Sequence, residues 1–416
     1  MPFFEPTTAV KKVSDFPLFR AFRSSNYTLY FIGRAVSQFG TYMQRIAVVW
    51  VIYSITHSAF LLGVTVFAEQ FPSFLFSIAG GVAADRYDQY KIIRITQITS
   101  MIQAVLLAIL IYTGHTVVWE ILTLSVILGV INAFDVPARQ ALINDVVTDP
   151  ADLPNALSLT TVTATLAQLL GPAAAGIVLN AFGAPVCFLV NAASFGGVLV
   201  SLLLMKLPAH QPKRSGKNFM TEFADAFAYL RRTPAIGFVI GMLALVSLLV
   251  LPFSTVLPVF AGMIFKGNAS TFGYILSAVG VGSVIGTIFL ASRKPGAQLR
   301  KILFCSTIIM GLGLICFSQT TNFPLALFFA ATIGIGAVAQ FTVCNIVVQS
   351  ESEPGMRGRV IGILLMAVYG MTPLGSLVVG AVSQHVGAPA AVLGQGIIGL
   401  LLGLGGLRIA SLLIKH

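Results

Sequence analysis

Gly80–Lys91 reads GGVAADRYDQYK, a glycine-led, charge-dense turn between two long apolar runs. Upstream, Ala59–Ala79 is almost wholly apolar apart from Glu69; downstream, Ile92–Tyr112 is also mostly apolar. Each run is long enough to cross a bilayer as a helix, which takes about 20 residues. A turn this short and charged, between two such runs, belongs at a membrane face. The fold class that follows is an all-α membrane protein.

Composition agrees. Of the 416 residues, 56% are hydrophobic and 9% charged, against about 25% charged in a typical soluble domain. That much apolar surface needs lipid as its solvent and excludes a soluble enzyme. No catalytic triad, metal-ligand set or phosphate-binding loop is visible, so neither a catalytic residue nor a metal or other cofactor is expected. Cys187, Cys305, Cys316 and Cys344 all fall in apolar runs, where cysteine acts as a small hydrophobe. Met1–Asn26 is polar and basic without an apolar core, so the first span is expected to serve as targeting signal and to be retained.

Twelve spans can be placed outward from the opening turn. The first six are Tyr27–Tyr53, Ala59–Ala83, Ile92–Tyr112, Val117–Ala138, Leu157–Phe182 and Val186–Met205. The second six are Ala235–Gly262, Thr271–Ala291, Ile302–Gln319, Pro324–Val348, Val360–Ser383 and Ala388–Ile414. The expected organisation is a cytoplasmic N-terminal segment (1–26), a six-helix bundle (27–205), a cytoplasmic linker (206–234) and a second six-helix bundle (235–416). With both termini cytoplasmic, all 25 Lys and Arg lie in cytoplasmic tails and loops except Lys266, Arg34 and Arg45. This is the positive-inside pattern. It accounts for the net charge of +11 and leaves nucleic acid out as a partner, because the charges are scattered over short loops.

The halves read as weak repeats. SAFLLGVTVF from Ser58 resembles STFGYILSAV from Ser270, and the charged turn has a counterpart in Ser292–Lys301. Within the linker, Phe219, Phe223, Phe227 and Leu230 fall at helical spacing and predict an amphipathic surface helix.

Gly81, Asp85 and Arg86 resemble the signature loop of the major facilitator superfamily, although Asp88 stands where that loop has its second glycine. SQFGTYMQRIAVVWVIY from Ser37, DVPARQALINDVV from Asp135 and EPGMRGRV from Glu353 resemble the branch of that superfamily that holds enterobactin (siderophore) exporters and related efflux permeases. The resemblance implies rocking of two bundles about a central site. It also implies that Gly81, Asp85 and Arg86 form a conformational latch with the start of the eleventh span, near Arg357–Val360. LLGPAAAG from Leu169 resembles a glycine-proline antiporter motif and equally suits a proline kink between closely packed helices.

Ionisable residues inside a bilayer are costly and are functional candidates by default. The first span carries a polar stripe of Arg34, Gln38, Thr41 and Arg45 on one helical face. Glu69 lies near the middle of the second span and Asp135 toward the cytosolic end of the fourth. Counting depth along the helices makes Arg45 with Glu69 and Arg34 with Asp135 expected pairs or near-pairs. Glu69 and Asp135 are the candidate proton-coupling acids. No acid falls within a span of the second half, so Gln340, Asn345 and Tyr369 are expected to complete a substrate surface with Arg34, Gln38, Thr41 and Arg45.

Guanidinium groups match carboxylates and similar anions, and the 31 Phe and 10 Tyr can wall an amphiphile. The expected function is export of a medium-sized, anionic amphiphile such as a siderophore from a monomer in the bacterial inner membrane. The lipid bilayer is its other partner, and a proton gradient supplies the energy. A multidrug or macrolide pump, a lysophospholipid flippase and a transport-dead sensor are the alternatives.

Overall fold

A computed structural model describes residues 17–114, 117–205, 219–293 and 298–413, all of them helix or short connection. Polar caps start several helices, because a side-chain oxygen there accepts an otherwise orphaned backbone N–H. After a 3₁₀ turn, Pro17–Arg23, Ser24 caps α1 (Ser25–Thr56), Ser58 caps α2 (Ala59–Arg86) and Asp88 caps α3 (Gln89–Tyr112). α4 (Val118–Val146), α5 (Leu153–Phe182) and α6 (Ala184–Leu204) complete the first half. α7 (Phe219–Arg232) precedes α8 (Pro234–Leu249). Beyond α8 the regular ladder breaks into a 3₁₀ stretch, Leu251–Val256, one turn of α9 (Leu257–Val259) and a π turn, Phe260–Ile264. Pro252 and Pro258 lie in that stretch, and proline cannot donate to a helix ladder. α10 (Ala269–Ala291), α11 (Leu299–Gln319), α12 (Phe323–Glu351), α13 (Arg357–Val386) and α14 (Ala388–Leu413) follow.

Eleven helices among the described residues are long and apolar enough to cross a membrane, and they coincide with the second to twelfth expected spans. α1 is not one of the eleven. Its 32 residues would reach about 48 Å at ~1.5 Å per residue, but the stripe from Arg34 to Arg45 lowers its apolar content.

In the first half α1 packs on α5 and α6, α2 on α4, and α3 on α4 and α6; in the second, α12 packs on α10 and α11, α11 on α14, and α8 on α13. The halves meet along two seams, α2 against α13 and α5 against α10. By the internal repeat α10 is the counterpart of α2 and α13 of α5, so one pairing is used twice.

Small residues make both seams. A Cβ on Gly63 would sit 2.4 Å from the Ser376 carbonyl oxygen, and one on Gly273 would sit 2.3 Å from that of Pro172. Polar contacts finish the joint: Ser58 Oγ donates to Gln384 Oε1 at 3.0 Å, Ala173 N–H to Ser277 Oγ at 3.0 Å, and Ser270 Oγ to Gly176 O at 3.1 Å. LLGPAAAG thus places its proline and small residues in a close inter-half contact. These contacts gather near the starts of α2 and α10 and the ends of α5 and α13. At the opposite end of α2, Asp85 and Arg86 are exposed and form no hydrogen bond or ion pair among the described residues. The polar contacts between the halves thus gather at one end of the seams, and Asp85 and Arg86 at the other end of α2 take no part in them.

The Gly80–Lys91 turn is tighter than its sequence implies, with only Tyr87 and Asp88 outside a helix. Asp88, which departs from the family pattern, accepts from the Tyr90 N–H at 2.9 Å and so caps α3. Gln89 Nε2 donates to Ala84 O, and Tyr90 Oη to Leu202 O on α6. The close helix approach at this turn is made by Gly80, which lies against the Ala133 backbone on α4, while Gly81 faces open space. Arg139, expected in a loop, is instead buried inside α4, because that helix runs on to Val146.

The expected linker helix is α7. It is fastened to the second half by Asp225 and Arg359 (3.3 Å) and by the Glu353 N–H donating to Tyr229 Oη (3.2 Å). Phe227 is exposed and Leu230 half-buried. The side chains of Phe219 and Phe223, and residues 1–16 and 206–218, lie outside the described residues.

The two neighbouring glycines make a paired test. Gly80→Ala should lower thermal stability by about 1–3 kcal/mol through overpacking against α4, and Gly81→Ala, into open space on the same helix, should raise it by up to about 1 kcal/mol. A thermal-shift assay on the purified variants measures both.

Candidate substrate and coupling site

Arg45 of α1 reaches Glu69 of α2 with two donors: Nε at 2.9 Å and Nη2 at 2.8 Å, both to Oε1. The expected Arg45–Glu69 pair is formed. Glu69 is 8% exposed, whereas 42% of the Arg45 side chain is accessible. The acid is sunk in the protein and the base faces open space. α4 fixes the acid's height, because Gly129 lies directly against the Glu69 carbonyl. Tyr42 of α1 and Tyr369 of α13 lie within electrostatic reach of the guanidinium, which places the pair where the halves face each other. Beside it on α2 runs an aromatic ladder, Phe67 stacked on Phe71 at 4.5 Å and Phe71 tilted against Phe74 at 6.2 Å. Phe74 rests on Gly370, next to Tyr369. An anionic group with an apolar or aromatic body fits such a surface.

Asp135 sits in a second, deeper cluster. Its Oδ1 accepts from Thr96 Oγ1 at 2.7 Å and Gln97 Nε2 at 3.0 Å, and its Oδ2 pairs with Arg139 one turn along α4. The expected Arg34–Asp135 ion pair is not formed. Arg139, at i,i+4 on the same helix, reaches the carboxylate first. Arg34 remains within electrostatic range of Asp135 and lines a narrow cleft with Tyr30, Arg139 and Leu202. The stripe on α1 is therefore divided, with Arg34 turned into the first half and Arg45 toward the second. Between them Thr41 Oγ1 donates to its own helix at Ser37 O (2.9 Å), and Gln38 is half-buried with its Oε1 unpartnered.

In the second half Tyr369 is 60% exposed. Asn345 is half-buried and accepts from Gln349 Nε2. Gln340 corrects the expectation for it. It is fully buried between α11 and α12, where Nε2 donates to Thr307 Oγ1 and Leu303 O, so it braces two helices and does not face the opening.

Sequence reasoning missed an uncharged network inside the first half. Gln44 Nε2 donates to Gln103 Oε1 at 2.9 Å, Asn191 Nδ2 to Gln44 Oε1 at 2.8 Å, and Gln103 Nε2 to Leu124 O at 3.1 Å. It joins α1, α3, α4 and α6. Amides within apolar spans were its available signal, masked by attention to formal charge. No group of His, Cys, Asp and Glu suited to a metal ion occurs among the described residues.

The profile of a family described as transmembrane secretion effectors matches residues 17–412. The chain belongs to that family. It is thereby a major facilitator protein and a multi-pass protein of the bacterial inner membrane. The chain is similar to the staphyloferrin A transporter of Staphylococcus aureus, 26% identical over 84% of this chain and 88% of that one. It is also similar to the enterobactin exporter EntS of Salmonella choleraesuis, 27% identical over 89% and 90% of the two chains. The multidrug efflux pump Tap of Mycolicibacterium fortuitum is 23% identical over 86% and 89%. In fold, the chain resembles a bacterial homologue of the lysosomal transporter Spinster in an inward-facing, occupied conformation. That likeness has a TM-score of 0.69 at 16% identity and covers 94% of this chain and 97% of the other.

Arg139 and Arg34 separate in a stability measurement. Arg139→Ala strands Asp135 as a buried, unpaired charge and should cost about 3–5 kcal/mol. Arg34→Ala removes no ion pair and should cost less than half as much in the same thermal-shift assay.

Proposed function

We propose that the chain exports a medium-sized anionic amphiphile, of siderophore type, by proton antiport and alternating access. α1 is read as a twelfth span, with both termini cytoplasmic, so that the end of α2 carrying Asp85 and Arg86 faces the cytoplasm. The observation that carries the reading is the Arg45–Glu69 pair, which belongs to the first half and faces Tyr369 of the second. Its guanidinium is accessible from the opening and flanked by Tyr42, Tyr369 and the Phe67–Phe71–Phe74 ladder. A binding site of this kind takes a charged group at one end and an apolar body at the other. Siderophore exporters among the relatives support the same substrate class.

In the proposed cycle the substrate enters from the cytoplasm and meets Arg45, with Gln38, Thr41, Asn345 and Tyr369 as further polar contacts. The seams at the outer end then part while the inner end closes. Gly81, Asp85 and Arg86, free in the present conformation, latch onto the start of α13 in the opposite one. Glu69 and Asp135 are the acids proposed for proton coupling; the third buried carboxylate among the described residues, Asp152, lies at the very start of the span Pro150–Phe182 and is paired with Arg20 at 2.9 Å. A multidrug pump is the second reading, favoured by the similarity to Tap. It requires Arg45 to be dispensable.

Everted vesicles with a pH dye inside decide between them. Anionic substrate should draw protons out of an energised vesicle lumen. Arg45→Ala should reduce that flux at least tenfold, the equivalent of about 1.4 kcal/mol, while leaving the protein folded. Full flux in Arg45→Ala, or flux of cationic drugs alone, refutes the anionic reading.

A further inference from the structure

Where α1 begins and α6 ends, the first half carries more positive charge than its own acids answer. Arg34, Arg139 and Tyr30 line one narrow cleft there, closed mainly by apolar side chains of α3 and α6. Asp135 adjoins it, but its oxygens are engaged, Oδ2 by Arg139 and Oδ1 by Thr96 and Gln97. Arg34 forms no hydrogen bond or ion pair among the described residues. Arg139 and Tyr30 are each more than nine-tenths buried. Even so, Arg139 Nε has no partner, and the Tyr30 hydroxyl forms no hydrogen bond among the described residues. Two guanidinium groups against one carboxylate leave a net charge of +1 inside the helices, which is costly without a counter-ion. No other described acid at this end is paired with either arginine. Asp85, Asp145 and Asp149 are exposed, Asp88 caps α3 and Asp152 holds Arg20. Lys91 and Arg94, exposed near the start of α3, raise the local positive potential further.

Size decides the class of counter-ion. The cleft has a volume of about 10 Å³, room for about one water-sized particle. A phosphate or the limb of an organic anion is too large to enter between the two side chains. A monatomic anion fits, and it accepts hydrogen bonds from any direction, which suits two guanidinium edges and a phenol. We propose that this cleft is a resident chloride site, in which the ion accepts from Arg139 Nε, the Arg34 guanidinium and Tyr30 Oη. Bound chloride brings the cluster to zero net charge and ties α1 to α4, two helices that no direct ion pair joins here. The ion is structural and is not cargo. Its site lies about three helical turns along α1 from Arg45 and is separate from the candidate substrate surface there.

Thermal unfolding of the purified full chain in lipid nanodiscs tests it, in sodium gluconate with chloride, bromide or phosphate exchanged in at constant pH and ionic strength. Chloride and bromide should raise the melting temperature along a saturating curve, and phosphate should not. Arg34→Gln, which neutralises the cluster without an ion, should abolish the rise. Tyr30→Phe should increase the half-saturating chloride concentration at least about tenfold, the loss of one hydrogen bond to an ion. Crystals of the wild-type chain grown in bromide locate the site even if a variant fails to fold, and should show an anomalous-scattering peak between Arg34 and Arg139. Absence of that peak overturns the assignment. So does a melting temperature indifferent to chloride, a rise that phosphate matches, or one that Arg34→Gln retains.

Discussion

A charge inside hydrocarbon has no water to satisfy it, and the layout of the first half follows from meeting that demand within the protein. Each ionised group inside these helices costs several kcal/mol unless paired or hydrogen-bonded. Glu69 is answered by Arg45 from α1, and Asp135 by Arg139 with two uncharged donors from α3. These partners tie α1 to α2 and α3 to α4, so matching charge also fixes helix positions. The second half, with no acid buried in a membrane helix among the described residues, is held by apolar packing and by amides such as Gln340 and Gln395.

Contacts between the halves are of another kind. They join backbone to backbone through Gly63, Gly176, Gly273 and Gly380, with a few neutral hydrogen bonds. Small residues let helices approach where lipid gives no hydrophobic drive for association. Ion pairs and side-chain amide networks thus lie within the halves, whereas the seams are made of close small-residue contacts and neutral hydrogen bonds.

Much of this was legible before any coordinates. The charged turn Gly80–Lys91 marks the boundary between two spans, and the Arg45–Glu69 pair follows from counting depth along two neighbouring helices. What failed has a common cause. The Arg34–Asp135 pairing assumed that depth decides contact, whereas Arg139 lay one turn away on the acid's own helix, and its i,i+4 spacing was in plain sight. Gln340 was assigned to the cavity because it is polar, yet the direction of an amide on an apolar helix depends on neighbours such as Thr307 that periodicity does not reveal. Gly80 and Gly81 are adjacent and chemically identical; only the position of α4 tells which one carries the close contact.

The neutrality of the Arg45–Glu69 pair has an electrical consequence. The membrane potential does work only on net charge that moves across it, at about 2.3 kcal/mol per elementary charge per 100 mV. A pair that travels as a dipole-sized unit of zero net charge crosses that field at almost no cost. Reorientation of the empty site is then nearly blind to voltage, and the potential acts on the cycle through the charge of the substrate and through whatever charge moves elsewhere.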